Sequence, residues 1–199
     1  MQRVAIIDSG GANIASLQFA LARLGQRSVL TTDAATISAA DRVLLPGVGT
    51  AKDAMTRLAD ANLIDVIRKL QQPVLGICLG MQLMFDASAE EDVECLGILP
   101  GVAEKLPATT TDPVPNMGWC QTKISATHPL FNEVENDSFF YYLHSYALPV
   151  SEHTLATAQH CEQFSAVAAK ENFLATQFHP ERSSTAGATL IRNFIAAPS

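Results

Sequence analysis

The chain has 199 residues, 48% of them hydrophobic and 17% charged, with a formal net charge of −7. Such a chain folds around a core, burying roughly 70% of the surface its unfolded form exposes, and is not a disordered tail. Its 13 Lys and Arg are scattered along an acidic sequence, which argues against a basic nucleic-acid-binding stripe.

The apolar run Val4-Ala5-Ile6-Ile7 reads as a buried strand and stops at Asp8, too short for a secretory core. It leads into the flexible turn Asp8-Ser9-Gly10-Gly11. Ile14, Leu17, Leu21 and Leu24 then recur at helical spacing up to Gly25, a natural helix stop. Residues 28–31 form a second strand, and residues 42–45 a third, broken by Pro46-Gly47-Val48-Gly49. A helical pattern runs through Met55, Leu58, Leu63, Ile64, Ile67 and Leu70 to Pro73, and residues 74–77 give a fourth strand. This alternation predicts an α/β fold with a mostly parallel central sheet flanked by helices.

Pro100, Pro107, Pro113 and Pro115 predict loops and short strands over residues 97–124. Residues 139–143, 154–157 and 166–168 read as further strands, some of them antiparallel. Residues 174–178 form a last strand leading into His179, and Ala188, Ile191, Phe194 and Ile195 give a closing helix. No linker or repeat interrupts residues 1–199, so they read as one domain. No apolar stretch approaches the ~20 residues needed to cross a bilayer. Cys78, Cys95, Cys120 and Cys161 form no CxxC pair, which excludes the usual zinc spacings and argues against a disulfide framework. The expectation is a reduced, cytoplasmic protein with no metal and no cofactor.

Three segments carry candidate chemistry. Gly76-Ile77-Cys78-Leu79-Gly80 lies between a strand and the apolar stretch Met81-Gln82-Leu83-Met84-Phe85, the layout of a nucleophile elbow with Cys in the serine position. The flanking glycines would permit a sharp turn, unpaired amides at a helix start favour a thiolate, and the Leu79 amide would face an oxyanion. A buried structural cysteine is the alternative. In Gln177-Phe178-His179-Pro180-Glu181, Pro180 biases His179 toward extended backbone, where residues two apart share a side, so His179 and Glu181 project together as base and orienting carboxylate. An ordinary loop after a strand is the alternative here. Pro46-Gly47-Val48-Gly49 follows a parallel strand, where open sheets bind ligands, and offers amides for a second half of an oxyanion hole; a plain turn is the alternative. Neither a dinucleotide fingerprint nor a Walker lysine follows it.

Taken together, these segments resemble, in order and position, the triad class of glutamine amidotransferases. Within that class the chain is similar to the branch of glutaminase subunits that serve imidazole glycerol phosphate synthesis in histidine biosynthesis. That narrower likeness rests on Pro46-Gly47-Val48-Gly49-Thr50, Pro115-Asn116-Met117-Gly118-Trp119 and the run from Phe140 to Tyr146, together with Gly11-Ala12-Asn13-Ile14. The resemblance implies a flavodoxin-like sheet and a Cys78–His179–Glu181 triad that hydrolyses L-glutamine. It implies oxyanion amides from Val48 and Leu79, and glutamine binding by Gly49, Gln82, His144, Ser145 and Tyr146. It also implies a heterodimer with a (β/α)8-barrel cyclase that receives the ammonia. The chain departs from the common pattern at Ser9 (often Tyr), Cys120 (often Asn) and Arg182 (often Lys), positions expected to face the partner. The competing readings are another glutaminase of the class, a stand-alone cysteine hydrolase and a non-catalytic subunit.

Overall fold

The computed structural model describes residues 2–10 and 14–197. Gly11, Ala12 and Asn13, part of the first predicted turn and of the family likeness, lie outside the described residues.

The first half alternates as its sequence periods demand: β1 (Val4–Ile7), α1 (Ile14–Arg23), β2 (Ser28–Thr31), α2 (Ala34–Ala39), β3 (Arg42–Gly47), α3 (Ala51–Asp60), α4 (Ile64–Arg68), β4 (Val74–Cys78) and α5 (Leu79–Leu83). Helix α1 stops where expected: Gly25 has φ +72°, and the Gln26 N–H returns to the Leu21 carbonyl at 2.9 Å. The single helical pattern expected after residue 50 is two helices. Asn62 sits in the left-handed region at φ +57°, so α3 ends and α4 starts afresh while Leu58, Leu63 and Ile67 all remain buried. Helix α2 was not foreseen; it is short, and Asp33 caps it by accepting from the Thr36 N–H at 2.7 Å.

The second half contains β5 (Ala87–Ser88), β6 (Val93–Glu94), β7 (Val102–Lys105), β8 (Asn116–Ile124), β9 (Phe139–His144), β10 (Tyr146–Ala147), β11 (Thr154–His160), β12 (Glu162–Lys170), β13 (Phe173–Thr176) and α6 (Ser184–Ala196). Strand β8 is a nine-residue strand where loops and short strands were expected. The prolines of that region all precede it, so none removes a ladder N–H from its interior.

These strands build a nine-stranded sheet in the order β2-β1-β3-β4-β13-β12-β11-β8-β9. The five from β2 to β13 are parallel neighbours, and the remaining pairings are antiparallel. A second sheet, β10-β7-β5-β6, sits beside it. The inner strands β1 and β4 are buried along their whole length because both faces are covered, whereas the edge strand β2 leaves Val29 and Leu30 exposed. Ala5, Ile7, Val43 and Leu45 face α3, α4 and α5, whereas Val4, Ile6 and Leu44 face α1 and α6.

Two contacts tie this frame together. Arg42, only 1% exposed, sends Nε to the Phe194 carbonyl at 3.2 Å, and another guanidinium nitrogen reaches the Ala197 carbonyl, so the cation closes the end of α6. At the other end of the strands, α5 lies directly on β3. A Cβ on Gly80 would overlap the Leu45 carbonyl oxygen, and one on Gly76 would stand 2.7 Å from the Gly80 oxygen. We therefore expect Gly80→Ala to destabilise the fold by about 3 kcal/mol or more, read as a lower denaturation midpoint, because the obstructing atoms are backbone. Unchanged stability would show that α5 can move off β3 freely.

Candidate active site

Parallel strands β3, β4 and β13 are neighbours in register, with Gly47 opposite Cys78 and Ile77 opposite Thr176. Their carboxyl ends therefore deliver residues 47–49, Cys78 and residues 177–179 to one place. Pro46 lies inside β3 without harm, because the pairing with β1 ends at Leu44 and β3 continues against β4 alone. The buried Ser9 hydroxyl donates to the Pro46 carbonyl at 2.7 Å, so Ser9 braces this segment and does not form an outer surface as expected.

Cys78 takes the strained turn on itself. It has φ +55° and ψ −110°, while neither Gly76 nor Gly80 has a positive φ. The glycines thus serve close packing of α5, not the turn they were expected to provide. The helix after Cys78 has five residues, too short to contribute much of a dipole.

His179 Nδ1 lies 2.9 Å from Glu181 Oε1, with side chains 5% and 3% exposed. His179 itself is extended as expected, at φ −97° and ψ 94°, but the residues after it are not: Pro180–Arg182 is a 3₁₀ turn, and it folds the carboxylate back beside the ring. The Ser183 hydroxyl donates to the His179 carbonyl at 2.6 Å and accepts the Tyr141 N–H at 2.9 Å, which fixes the turn against β9. Burial alone would discharge the His179 imidazolium. Hydrogen bonding and charge attraction from Cys78 and Glu181 overcome that and hold its pKa well above the ordinary histidine range.

A cavity of about 580 Å³ opens in front of Cys78. Val48, Gly49, Cys78, Leu79, Gln82, His144, Ser145, Tyr146 and His179 all line it. Glu181 does not; it stands behind His179, beside Gly47 and Ile77. Glu90, Pro115, Leu143 and Arg182 also line the cavity and were not foreseen as cavity residues. Glu90 accepts the Ala51 N–H at 3.2 Å, so it is anchored on the first turn of α3. In sequence it hides in the acidic run Glu90-Glu91-Asp92, which reads as a solvated surface. Arg182 lies 4.4 Å over the Tyr141 ring, and the half-buried Cys120 thiol donates to Asn116 Oδ1 at 3.5 Å. Among the described residues, no cluster of His, Cys, Asp or Glu is placed to hold a metal ion, and no helix is long and apolar enough to cross a membrane.

His144 is the electrostatic opposite of His179. Its Nδ1–H donates to the Tyr146 carbonyl at 2.9 Å, and its Nε2 accepts from Asn116 Nδ2 at 3.0 Å. Both ring nitrogens are thus used in the neutral tautomer, leaving the His144 ring no free donor or acceptor for a ligand in the cavity. Burial lowers its pKa to about 4.

The glutamine amidotransferase class-I family model matches residues 5–197. Imidazole glycerol phosphate synthase subunit HisH of Pasteurella multocida (strain Pm70) is 50% identical over 195 residues, covering 98% of each chain. The protein of the same name from Vibrio cholerae serotype O1 is 46% identical over 200 residues, again covering 98% of each. Among solved structures, a GMP synthase subunit from Thermoplasma acidophilum superimposes with a TM-score of 0.77 at 20% identity, covering 98% of this chain and 92% of that one. That likeness bears on the fold alone.

The His144 shift carries a pH prediction. The unfolded ring takes its proton near 6.5, whereas the folded ring resists until about 4, so its contribution to stability is full above pH 6.5 and is lost as the pH falls toward 4. Replacing His144 with Gln should flatten this acid limb by up to about 1.4 kcal/mol per pH unit, measured by denaturant unfolding of both proteins across that range. Parallel limbs would mean that His144 is protonated in the fold.

Proposed function

We propose that this chain, which belongs to the class-I glutamine amidotransferase family, hydrolyses L-glutamine and passes the ammonia to the (β/α)8-barrel cyclase of imidazole glycerol phosphate synthase. Residues 1–199 act as one amidotransferase domain in the cytoplasm. The observation that carries the reading is the meeting of Cys78 with a hydrogen-bonded His179–Glu181 pair at a cavity large enough for an amino acid. The near-half identity to HisH subunits over almost the whole chain supports the choice of partner.

In this reading the Cys78 sulfur attacks the side-chain amide carbon, and the charge that develops on the oxygen meets the amides of Val48 and Leu79. His179 gives its proton to the departing nitrogen, so ammonia leaves and a glutamyl thioester remains. The now neutral imidazole takes a proton from water, whose oxygen attacks the thioester; glutamate departs and the thiolate–imidazolium pair returns. Glu181 keeps the ring in one tautomer and stabilises its charge throughout. Gln82 and the Glu90 carboxylate suit the α-ammonium group of glutamine. Gly49 and the backbone of Ser145 and Tyr146 suit its carboxylate end.

The outer face of β8 and β9 supports the heterodimer. Met117 stands opposite Leu143, Trp119 opposite Tyr141 and Gln121 opposite Phe139, so one face gathers large apolar side chains. Met117, Trp119 and Phe139 are each more than half exposed, and Leu143 reaches the rim of the cavity. A cyclase seated there would cover the ammonia exit, and its substrate would yield imidazole glycerol phosphate and aminoimidazole carboxamide ribotide. A different synthase as partner is the second reading, favoured by the same apolar face.

Cys78→Ala should lower glutamine-dependent synthesis by the reconstituted complex at least about a thousandfold, yet leave ammonia-dependent synthesis intact. Loss of both activities would point to a damaged complex, and survival of both would remove Cys78 as nucleophile. The chain alone should hydrolyse glutamine slowly and accelerate when the cyclase and its nucleotide ligand are added.

A further inference from the structure

Cys78 and the glutamine cavity are joined by a buried chain of side-chain amides that starts at a main-chain carbonyl. The Tyr146 oxygen can only accept, and it takes a Gln82 Nε2–H at 2.8 Å. The same nitrogen donates to Gln177 Oε1 at 3.1 Å, which uses both of its hydrogens. Gln177 must then present its own nitrogen on the far side, and that Nε2 lies 3.9 Å from Cys78 Sγ. Gln177 is fully buried, and its backbone N–H is fixed to the Ala166 carbonyl at 2.9 Å.

The polarity of this chain is set from one end. Reversing Gln82 would place its oxygen against the Tyr146 oxygen, and reversing Gln177 would place two donors together and an oxygen against the sulfur. The Tyr146 carbonyl is itself held by His144, which Asn116 holds in turn. No other orientation satisfies every member, and a buried amide left unsatisfied costs about 1–3 kcal/mol.

We propose that Gln177 is a positioning residue that couples the glutamine cavity to the nucleophile. One end of its amide keeps an N–H on the Cys78 sulfur, aiming the sulfur before attack. The other end locks Gln82 with its oxygen toward the cavity, where it accepts from the α-ammonium of glutamine. Gln82 so held has no hydrogen left for a carboxylate, which makes the site selective for an amide that carries an α-amino group. The proposal rests on the reading of Cys78 as the nucleophile of a glutaminase.

The test uses the full-length chain with its cyclase, comparing wild type, Gln177→Glu and Gln177→Met. Gln177→Glu keeps an acceptor for Gln82 but sets a second oxygen at the sulfur. Its kcat should fall about tenfold or more while KM stays within about threefold. Gln177→Met removes both contacts, and KM should rise by about tenfold in addition. It should also narrow the preference for glutamine over glutaric acid monoamide, which lacks the amino group. Values for Gln177→Met within about twofold of wild type, or equal KM changes in both variants, would overturn the proposal.

Labelling of Cys78 by a glutamine chloroketone, followed by mass spectrometry, separates this from the parent reading. If wild-type Cys78 resists that reagent, the glutaminase assignment fails irrespective of Gln177. Where a buried substitution prevents folding, the wild-type chain still decides. Carboxamidomethylation of Cys78 should move the side-chain amide resonances of Gln177 and Gln82 but not that of the remote Asn193, and an unmoved Gln177 amide would overturn the idea.

Discussion

Everything at the site depends on how closely α5 is pressed onto β3. With hydrogen as its only side chain, Gly80 lets the helix backbone reach the Leu45 carbonyl, and Gly76 clears space for the same helix from below. That contact leaves the chain no gradual route from strand to helix, so the whole reversal falls on Cys78 at φ +55°. A strained non-glycine residue costs about 1–3 kcal/mol and persists only where its surroundings over-determine it. Here Leu79, Met81 and Leu83, all buried in the core, hold the helix down while the sulfur is presented beyond the sheet.

The site then separates two histidines by environment. His179 is buried yet kept protonated by an adjacent sulfur and carboxylate, whereas His144 is buried with its nitrogens committed to neutral partners. One ring is equipped to exchange protons, and the other is a rigid spacer that sets the direction of a carbonyl. Two groups of one type, driven apart in protonation by burial and neighbours, divide the work of a site between chemistry and geometry.

Much of this was legible in the residues. The parallel half could be read because β1, residues 43–45 of β3, and β4 are continuous apolar runs and α1 carries a clear period and a glycine stop. The two-helix break at Asn62 was hidden because Leu58, Leu63 and Ile67 serve the same core on both sides of it. Strand β8 was hidden for the opposite reason: its sequence is polar and mixed, and only its pairing with β9 and β11 makes it a strand. Cys78, His179 and Glu181 were identifiable as chemical types, but the 3₁₀ turn that unites the last two depends on Ser183 and Tyr141, far apart in sequence. Glu90 could not be found without the fold, since nothing local distinguishes it from its acidic neighbours. Gln177 stood within a recognised motif, yet its partners are Gln82 and Cys78, visible only once β13 lies beside β4.

Arg42 gives the fold a schedule. Its guanidinium belongs to the third strand, but the carbonyls of Phe194 and Ala197 that receive it are made more than 150 residues later. Arg42 also donates to the neighbouring Asp41 carbonyl at 2.6 Å, so the early β-α units hold this cation in part, and α6 adds the carbonyls of Phe194 and Ala197 when it docks. A chain halted before residue 194 would lack both of those carbonyls, and the sheet face of Val4, Ile6 and Leu44 would be without the apolar side chains that α6 packs against it.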